Sequence, residues 1–181
     1  DSIDDQYFDD VMLKNFKEGY IIDAGVFLGE LADGFRKYSC LNFEKNNFYA
    51  FEPDLEICEL LRQKTKTLEN YKIFPVALFD KKGTIKFNPS PTGAGTVNDE
   101  GNVVIDTECL DNIVTNENIT FIKMDIEGSE LSALKGAKEC IVKNIPLCAI
   151  SAYHKRDDLW NIILYFDSLD LNYEYYIRHY T

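Results

Sequence analysis

Three short apolar runs along the chain each stop at an acidic residue. Residues 20–23 and 120–125 end in aspartate, and residues 48–51 are followed by glutamate. Apolar runs of this length that stop at turn residues are typical of buried strands in a parallel sheet. The carboxyl ends of parallel strands meet at one edge of the sheet, where ligands bind. The pattern therefore predicts an α/β fold in which the three acids border one crevice.

Between and after these runs, apolar residues recur at the spacing of amphipathic helices. The predicted helices are 7–17, 29–37, 54–66, 110–114, 129–142 and 157–169. Further apolar runs predict strands at 72–78, 147–152 and 173–180, which brings the number of predicted main strands to six. Alternating strands and helices are typical of a layered α/β domain. We therefore expect a single domain over residues 1–181, with residues 1–18 as a helical lead-in.

Residues 88–102 interrupt the apolar pattern with Pro, Ser, Thr, Gly, Asn and Asp. The flanking segments 84–87 and 103–105 are suited to pair as a hairpin, with the polar segment at its tip. A connection of about fifteen residues is long for a compact domain, and such loops often serve as lids. We expect residues 88–102 to be mobile without an acceptor substrate and to cover the site when one binds.

Two glycines follow the first acid in the pattern Asp23-x-Gly25-x-x-x-Gly29. The dinucleotide fingerprint Gly-x-Gly-x-x-Gly cradles a pyrophosphate. Here a carboxylate precedes the first glycine, and it would repel a pyrophosphate but attract an ammonium group. The pattern thus favours S-adenosylmethionine, with Glu52 accepting hydrogen bonds from ribose hydroxyls. A tight βα turn capped by Asp23 is the structural alternative, and an acid at Glu52 would also suit a dehydrogenase.

His154 follows the predicted strand 147–152, at the same sheet edge as Asp125. Histidine is the side chain best suited to proton transfer near neutral pH. We therefore predict that His154 is the base for an acceptor hydroxyl and that Asp125 orients it, the substrate or the cofactor. Asp125 and Glu127 leave open an alternative in which Mg²⁺ activates a diol, although the favoured mechanism uses no metal. Glu130 is interpreted as an ordinary acid at a helix start.

The composition and net charge of the chain limit the classes of ligand and the cellular locations that suit it. With a net charge of −12 and a pI near 4.6, the surface repels nucleic acid and anionic lipid. No apolar run approaches the roughly 20 residues of a membrane helix, and no secretory signal is present. Five dispersed cysteines without a Cys-x-x-Cys pair favour a reducing, cytoplasmic location. Because the first residue is Asp and not Met, we expect a processed or excised part of a longer protein.

Taken together, the motifs resemble the FkbM family of S-adenosylmethionine-dependent methyltransferases. The resemblance spans nearly the whole chain in the family's order, and the block 122–130 is its specific part. The segments that carry it are Asp23-x-Gly25-x-x-x-Gly29, Phe51-Glu52-Pro53, Val76-Ala77-Leu78, Leu110-Asp111, residues 122–130, Ala133-Leu134, Gly136-Ala137, Tyr153-His154 and Arg178-His179-Tyr180.

The resemblance implies a Rossmann-like class I methyltransferase fold, a mostly parallel sheet with helices on both faces and an antiparallel last strand. Because the chain ends after six predicted strands, that last edge strand is expected to be missing. The resemblance also implies O-methylation of a hydroxyl of a sugar, a glycan or a secondary metabolite. The residues expected at the cofactor are Asp23, Gly25, Gly29, Glu52, Ala77 and Asp125. An NAD-type oxidoreductase, or a noncatalytic cofactor-binding module of a larger carbohydrate-modifying protein, remains the alternative.

Overall fold

The computed structural model describes residues 6–90, 95–97 and 100–179. The strands of this part of the chain are β1 (Tyr20–Ala24), β2 (Asn47–Phe51), β3 (Tyr71–Phe74), β4 (Ala77–Leu78), β5 (Gly83–Asn88), β6 (Thr96–Val97), β7 (Val103–Glu108), β8 (Ile119–Met124) and β9 (Leu147–Ile150). The helices are α1 (Asp10–Asn15), α2 (Glu30–Lys37), α3 (Leu55–Thr65), α4 (Leu110–Ile113), α5 (Glu130–Lys135), α6 (Lys138–Asn144) and α7 (Asp158–Asp167). Two 3₁₀ turns, Ser39–Leu41 and Phe43–Lys45, precede β2.

The main sheet has the order β3-β2-β1-β8-β9, and all of its neighbouring strands are parallel. The chain builds the sheet outward from β1 in one direction and then from β8 in the other. The strand order therefore reverses between β1 and β8, which is where a ligand crevice opens in folds of this type. The register pairs Asp23 with Lys123 and Ala24 with Met124, so the turns after the two strands lie side by side.

Helices cover both faces of the main sheet, because alternate strand residues point to opposite sides. On one face, Ile21 and Phe121 pack with Phe35 of α2. On the other, Ile22 and Met124 share a core with residues of α5, α6 and α7. Every residue of β8 is buried, as expected for a central parallel strand. The predicted α/β class, a parallel main sheet with helices on both faces, is confirmed.

A second, smaller sheet has the order β4-β7-β5-β6. Within it, β5 and β7 pair antiparallel, with Ile85 opposite Ile105 and Phe87 opposite Val103, so the predicted hairpin is confirmed. Residues 96–97 of the predicted loop add the short strand β6 to this hairpin. Residues 91–94 and 98–99 of that loop lie outside the described residues, and its mobility stays a prediction.

Two predicted elements are divided in the structure. The predicted strand 72–78 becomes β3 in the main sheet and β4 in the small sheet, because Pro75 between them has no N–H to continue a ladder. The predicted helix 129–142 becomes α5 and α6. A Cβ at Gly136 would lie 1.9 Å from the carbonyl oxygen of Phe79, so the backbones touch at the point where the helix breaks.

The predicted strand 173–180 is wrong, because residues 173–179 form no strand and residue 180 lies outside the described part of the chain. Tyr173 packs its ring on Phe166 of α7 and donates a hydrogen bond to the carbonyl of Pro146 at 3.0 Å. Arg178 forms a 2.5 Å ion pair with Asp9, which caps α1. These side-chain contacts, not strand pairing, hold the segment in place.

The predicted lead-in helix is interrupted in the structure. Residues 6–7 are helical, and α1 begins anew at Asp10, because the carboxylate of Asp9 accepts a hydrogen bond from the N–H of Met12 at 2.8 Å and caps the helix start. Residues 1–5 of the lead-in lie outside the described residues. Within the ranges that the structure covers, none of the helices has the length and apolar character needed to span a membrane.

Candidate functional site

A cavity lies at the carboxyl ends of β1, β2 and β8, between the main sheet and the small sheet. Four of the predicted site residues line it, namely Gly25, Glu52, Ala77 and Asp125. Its apolar wall comes from Phe51, Pro53, Val76, Leu78, Phe87, Val97, Ile105 and Ile126. A mostly apolar cleft with a few polar groups is typical of a small-molecule site.

Glu52 is the buried carboxylate of this cavity. Its two oxygens accept hydrogen bonds from the backbone N–H groups of Asp54 at 3.0 Å and Phe27 at 3.4 Å. Burial raises the pKa of Glu52 to about 7, and these two donors only partly oppose the rise. The turn after β1 and the turn after β2 thus both hold this side chain at the cavity wall.

Asp23 lies beneath the cavity and not on its lining. Its side chain is buried, and Oδ1 lies 3.2 Å from the ammonium of Lys123, also buried, on the neighbouring strand. Lys123 in turn donates hydrogen bonds to the carbonyls of Ala24 at 3.2 Å and Gly25 at 2.6 Å. Burial raises the pKa of Asp23, and Lys123 opposes the rise. The pair therefore braces the turn after β1, and direct contact of Asp23 with a ligand stays a prediction.

Gly25 and Gly29 are each a glycine for a different structural reason. A Cβ at Gly25 would lie 1.8 Å from the carbonyl oxygen of Asp125, so only glycine fits where β1 and β8 end together. Gly29 precedes α2 with φ +77° and packs near Leu61, away from the cavity lining. The structure therefore brings Gly25 to the cavity, whereas Gly29 lies in the turn before α2 and its contact with a cofactor stays a prediction.

Four side chains form what we call the acid–histidine cluster: Asp125, Glu127, Glu130 and His154. The Nε2 atom of His154 lies 3.4 Å from Asp125 Oδ1 and 3.3 Å from Glu127 Oε2. Its Nδ1 atom lies 3.0 Å from Glu130 Oε1. Tyr153 also donates a hydrogen bond to Asp125 at 3.2 Å. The predicted neighbours Asp125 and His154 are thus together, at the side of the cavity that Asp125 and Glu127 line.

The electrostatics of the cluster are set by burial and by like charges. Burial alone would lower the pKa of His154, but the contact with Glu130 and the charges of Asp125 and Glu127 outweigh it and raise that pKa. Burial also raises the pKa of Glu127, with His154 opposing. A buried histidine among three carboxylates is typical of functional sites more than of structural ones.

The sequence contains no indication that Glu130 is fully buried. It does accept a hydrogen bond from the N–H of Ile126 at 2.9 Å, as a helix-start acid would. However, Glu130 is 0% exposed and its other oxygen has no hydrogen-bond partner among the described residues, so it is not an ordinary capping residue. Its partner His154 lies 24 positions later, and no local pattern reveals the contact.

Lys123 and Tyr7 were missed as well. A lysine inside an otherwise apolar strand was the available signal for Lys123, because a buried ammonium requires partners. Tyr7 is buried with its ring 5.9 Å from the Lys123 ammonium, and burial raises its pKa. Nothing in the sequence near Tyr7 indicates that it lies under the turn after β1.

Comparisons with known proteins agree with this geometry. The family model of the Methyltransferase FkbM domain matches residues 23–175. A crystal structure of methyltransferase FkbM from Methylobacillus flagellatus KT is similar over 100% of this chain and 45% of that one, with a TM-score of 0.79 and 28% identity.

Two curated relatives match part of the chain. The hexuronic acid methyltransferase AglP of Haloferax volcanii is 31% identical over 117 residues, which are 60% of this chain and 48% of the relative. The 2-O-methyltransferase NoeI of Sinorhizobium fredii is 27% identical over 124 residues, 55% of this chain and 51% of the relative. The chain spans about half the length of the curated relatives that it matches.

Proposed function

Because the chain belongs to the FkbM methyltransferase family, we propose that it methylates a hydroxyl of a sugar, a glycan or a secondary metabolite with S-adenosylmethionine. The observation that carries the proposal is the cavity in which Gly25, Glu52 and Ala77 lie beside the acid–histidine cluster. The relatives' names, a hexuronic acid methyltransferase and a 2-O-methyltransferase, support the acceptor class.

The residues around the cavity fit the cofactor. Glu52 is a buried carboxylate on the cavity wall, suited to accept hydrogen bonds from two ribose hydroxyls. Gly25 has no side chain, so a ligand can approach the backbone there. Ala77 and the apolar wall of the cavity suit an aromatic base. The acidic lining at Asp125 suits an ammonium group. When bound, S-adenosylmethionine supplies a methyl group on a positively charged sulfur. We call Gly25, Glu52 and Ala77 the cofactor side.

The acceptor oxygen forms a bond to the methyl carbon as the carbon–sulfur bond breaks, and the electron pair of that bond stays on sulfur. The hydroxyl proton must also leave. Holding the reactants in line contributes on the order of 7 to 11 kcal/mol. We infer that His154 and Asp125 activate this hydroxyl, either with His154 as base or through a cation held in the cluster, and their position beside the cavity supports this.

The alternatives differ in what supports them. An NAD-type oxidoreductase has no support, because the turn after β1 lacks the Gly-x-Gly-x-x-Gly pattern and the family is one of methyltransferases. A noncatalytic module would bind the cofactor without turnover. The acid–histidine cluster favours catalysis, since a module that only binds cofactor has no need of a buried histidine among acids.

We also propose that the protein acts in the cytoplasm on a small molecule or glycan and not on nucleic acid. The net charge of −12 supports this, because it repels phosphate backbones. All five cysteines are free thiols, which suits a reducing compartment.

Calorimetry with S-adenosylmethionine and with NAD tests the cofactor assignment. We expect binding of the first and none of the second, and a folded sample that binds no S-adenosylmethionine at millimolar concentration would contradict the proposal. Methyl transfer is then tested with labelled cofactor against hexuronic acids and other sugars that carry free vicinal hydroxyls.

A further inference from the structure

The acid–histidine cluster has the spacing of a metal site. Asp125, Glu130 and His154 each offer one ligand atom, and these atoms lie within 4.8 Å of one another. A cation bonded to its ligands at about 2.0 to 2.2 Å holds neighbouring ligand atoms about 3 Å apart and opposite ones about 4.4 Å apart. The cluster therefore needs only a small contraction to surround an ion.

Unpartnered buried atoms point the same way. Glu130 Oε2 and both ring nitrogens of His154 are buried and make no hydrogen bond to any described residue. Glu130 is 0% exposed, and the side chain of His154 is 8% exposed. The ring nitrogens of His154 do contact carboxylate oxygens, with Nδ1 3.0 Å from Glu130 Oε1 and Nε2 3.3 Å from Glu127 Oε2. Buried polar groups normally have partners, so the unpartnered Oε2 of the fully buried Glu130 indicates a missing one.

The charges of the cluster are also incompletely compensated. Three carboxylates surround one imidazole, while Lys123 and Lys155 are engaged with other groups. Lys155 donates a hydrogen bond to the carbonyl of Gly128, and Lys123 is paired with Asp23 and two backbone carbonyls. A cation would satisfy the unpartnered atoms and offset the negative charge at once.

We propose that Asp125, Glu130 and His154 bind a divalent cation of the Mg²⁺ and Mn²⁺ class, with Glu127 as a further carboxylate beside it. The ligand set decides the class. Carboxylates with a single imidazole suit these hard cations, whereas structural zinc sites use cysteine and several histidines. The cluster contains no cysteine.

The consequence for catalysis rests on the proposed function. A cation at this edge of the cavity would bind the acceptor hydroxyl together with its neighbour, and so select a vicinal diol. It would lower the pKa of the bound hydroxyl, whose proton passes to water as the oxygen–carbon bond forms and the carbon–sulfur bond breaks. His154 is then a ligand and not the base, which replaces the mechanism favoured by the sequence.

Electron paramagnetic resonance with Mn²⁺ tests the site in the full chain without cofactor. We expect the wild type to bind one Mn²⁺, and Glu130→Gln to bind it at least about 10-fold more weakly, since even outer-shell partners contribute that much. Glu139→Gln is the matched control. It removes an acid from a second surface cavity, shared with Asp111 and Glu117, and should leave Mn²⁺ binding unchanged. Wild-type protein that binds no Mn²⁺ at millimolar concentration overturns the proposal.

Two further measurements separate the loss of the cation site from misfolding and from a failure of cofactor binding. Thermal unfolding checks that Glu130→Gln is folded, and Mn²⁺ should raise the unfolding temperature of the wild type but not of the variant. If Glu130→Gln does not fold, Asp125→Asn, at a partly exposed position, takes its place. Variants that bind Mn²⁺ as well as the wild type would overturn the proposal. Calorimetry with S-adenosylmethionine alone tests the proposed function separately, because a failure of Mn²⁺ binding with intact cofactor binding removes only the cation.

Discussion

The cofactor side and the acid–histidine cluster lie at one sheet edge but are built differently. On the cofactor side, each oxygen of Glu52 accepts one hydrogen bond from a backbone N–H of a neighbouring turn, which fixes the side chain and leaves it able to accept from a ligand. In the cluster, Glu130 and His154 keep buried atoms without hydrogen bonds to any residue in the described ranges. The first region is completed by the chain itself. The second has buried polar atoms that the proposed cation would complete.

This contrast teaches how the two regions divide the work. A carboxylate fixed by the backbone presents a constant shape, which suits a cofactor that is the same in every cycle. Polar groups left open suit a partner that must be exchanged or activated. If this division is correct, substitutions in the two regions should affect different measured quantities.

The largest effect is expected at His154. His154→Ala removes a ligand of the proposed cation, or the base if no cation binds, and should lower turnover by about 10² to 10⁴, which corresponds to about 3 to 5 kcal/mol in the barrier. Cofactor affinity should hardly change, because His154 lies outside the cofactor side. Turnover and calorimetry with S-adenosylmethionine measure the two quantities. His179→Ala, which removes the exposed second histidine, is the control. Near-normal turnover of His154→Ala would remove the cluster from catalysis.

The opposite pattern is expected at Glu52. Glu52→Ala should weaken cofactor binding by about 1.5 to 3 kcal/mol, the range for hydrogen bonds to a charged group. At saturating cofactor its turnover should stay close to that of the wild type. Glu59→Gln, at an exposed position of α3, provides the control. A loss of turnover without a loss of affinity would show that the two regions do not divide as described.

The raised pKa of Glu52 predicts that this side chain affects stability in a pH-dependent way. Because burial raises this pKa to about 7, the ionised form destabilises the fold: stability is present below the ordinary pKa and falls as pH rises to 7. Glu52→Gln should therefore be more stable than the wild type at pH 8 by about 1 to 3 kcal/mol, and similar to it at pH 4.

Denaturant unfolding at the two pH values measures this difference. In the wild type, calorimetry should also show cofactor binding strengthening from pH 6 to pH 8, since a protonated Glu52 cannot accept from both ribose hydroxyls. A stability difference that is equal at both pH values, or cofactor binding that does not respond to pH, would contradict the assignment.

The smallest effect is expected in the segment 88–102, where the free energy of local opening should be low. Its polar composition offers little to bury, so we expect its amides to exchange with solvent at opening free energies near zero, far below those of β8. Acceptor substrate should slow this exchange if the segment covers the site. Hydrogen exchange with and without acceptor measures it. Exchange as slow as in β8 before acceptor is added would exclude a lid.

The sequence predicted those parts of the fold that follow from local patterns. Apolar runs that stop at an acid gave the central strands, and the carboxyl-edge rule brought Glu52 and Asp125 to one cavity. The segment 173–180 was wrongly predicted as a strand, because its tyrosines suit a sheet as well as a surface that packs on a helix. Only the contact of Tyr173 with Phe166 decides between them.

The site was less predictable where contacts are distant along the chain. A helix-start acid and a buried partner of His154 look identical at Glu130 until the strand β9 is in place. Likewise, the sequence gives no sign that Asp23 is paired with Lys123, a hundred positions later, at 3.2 Å. Both cases concern charge pairing, which local periodicity does not encode.

The contact between Gly25 and Asp125 makes the cofactor and the acceptor energetically dependent on each other. The N–H of Asp125 donates a hydrogen bond to the carbonyl of Ala24 at 3.1 Å, and no side chain separates the two turns. A ligand that shifts one turn must shift the other. By reciprocity, the factor by which cofactor changes acceptor affinity equals the factor by which acceptor changes cofactor affinity. An engineered change of acceptor is therefore better introduced from the small sheet, which touches the cavity without belonging to this junction.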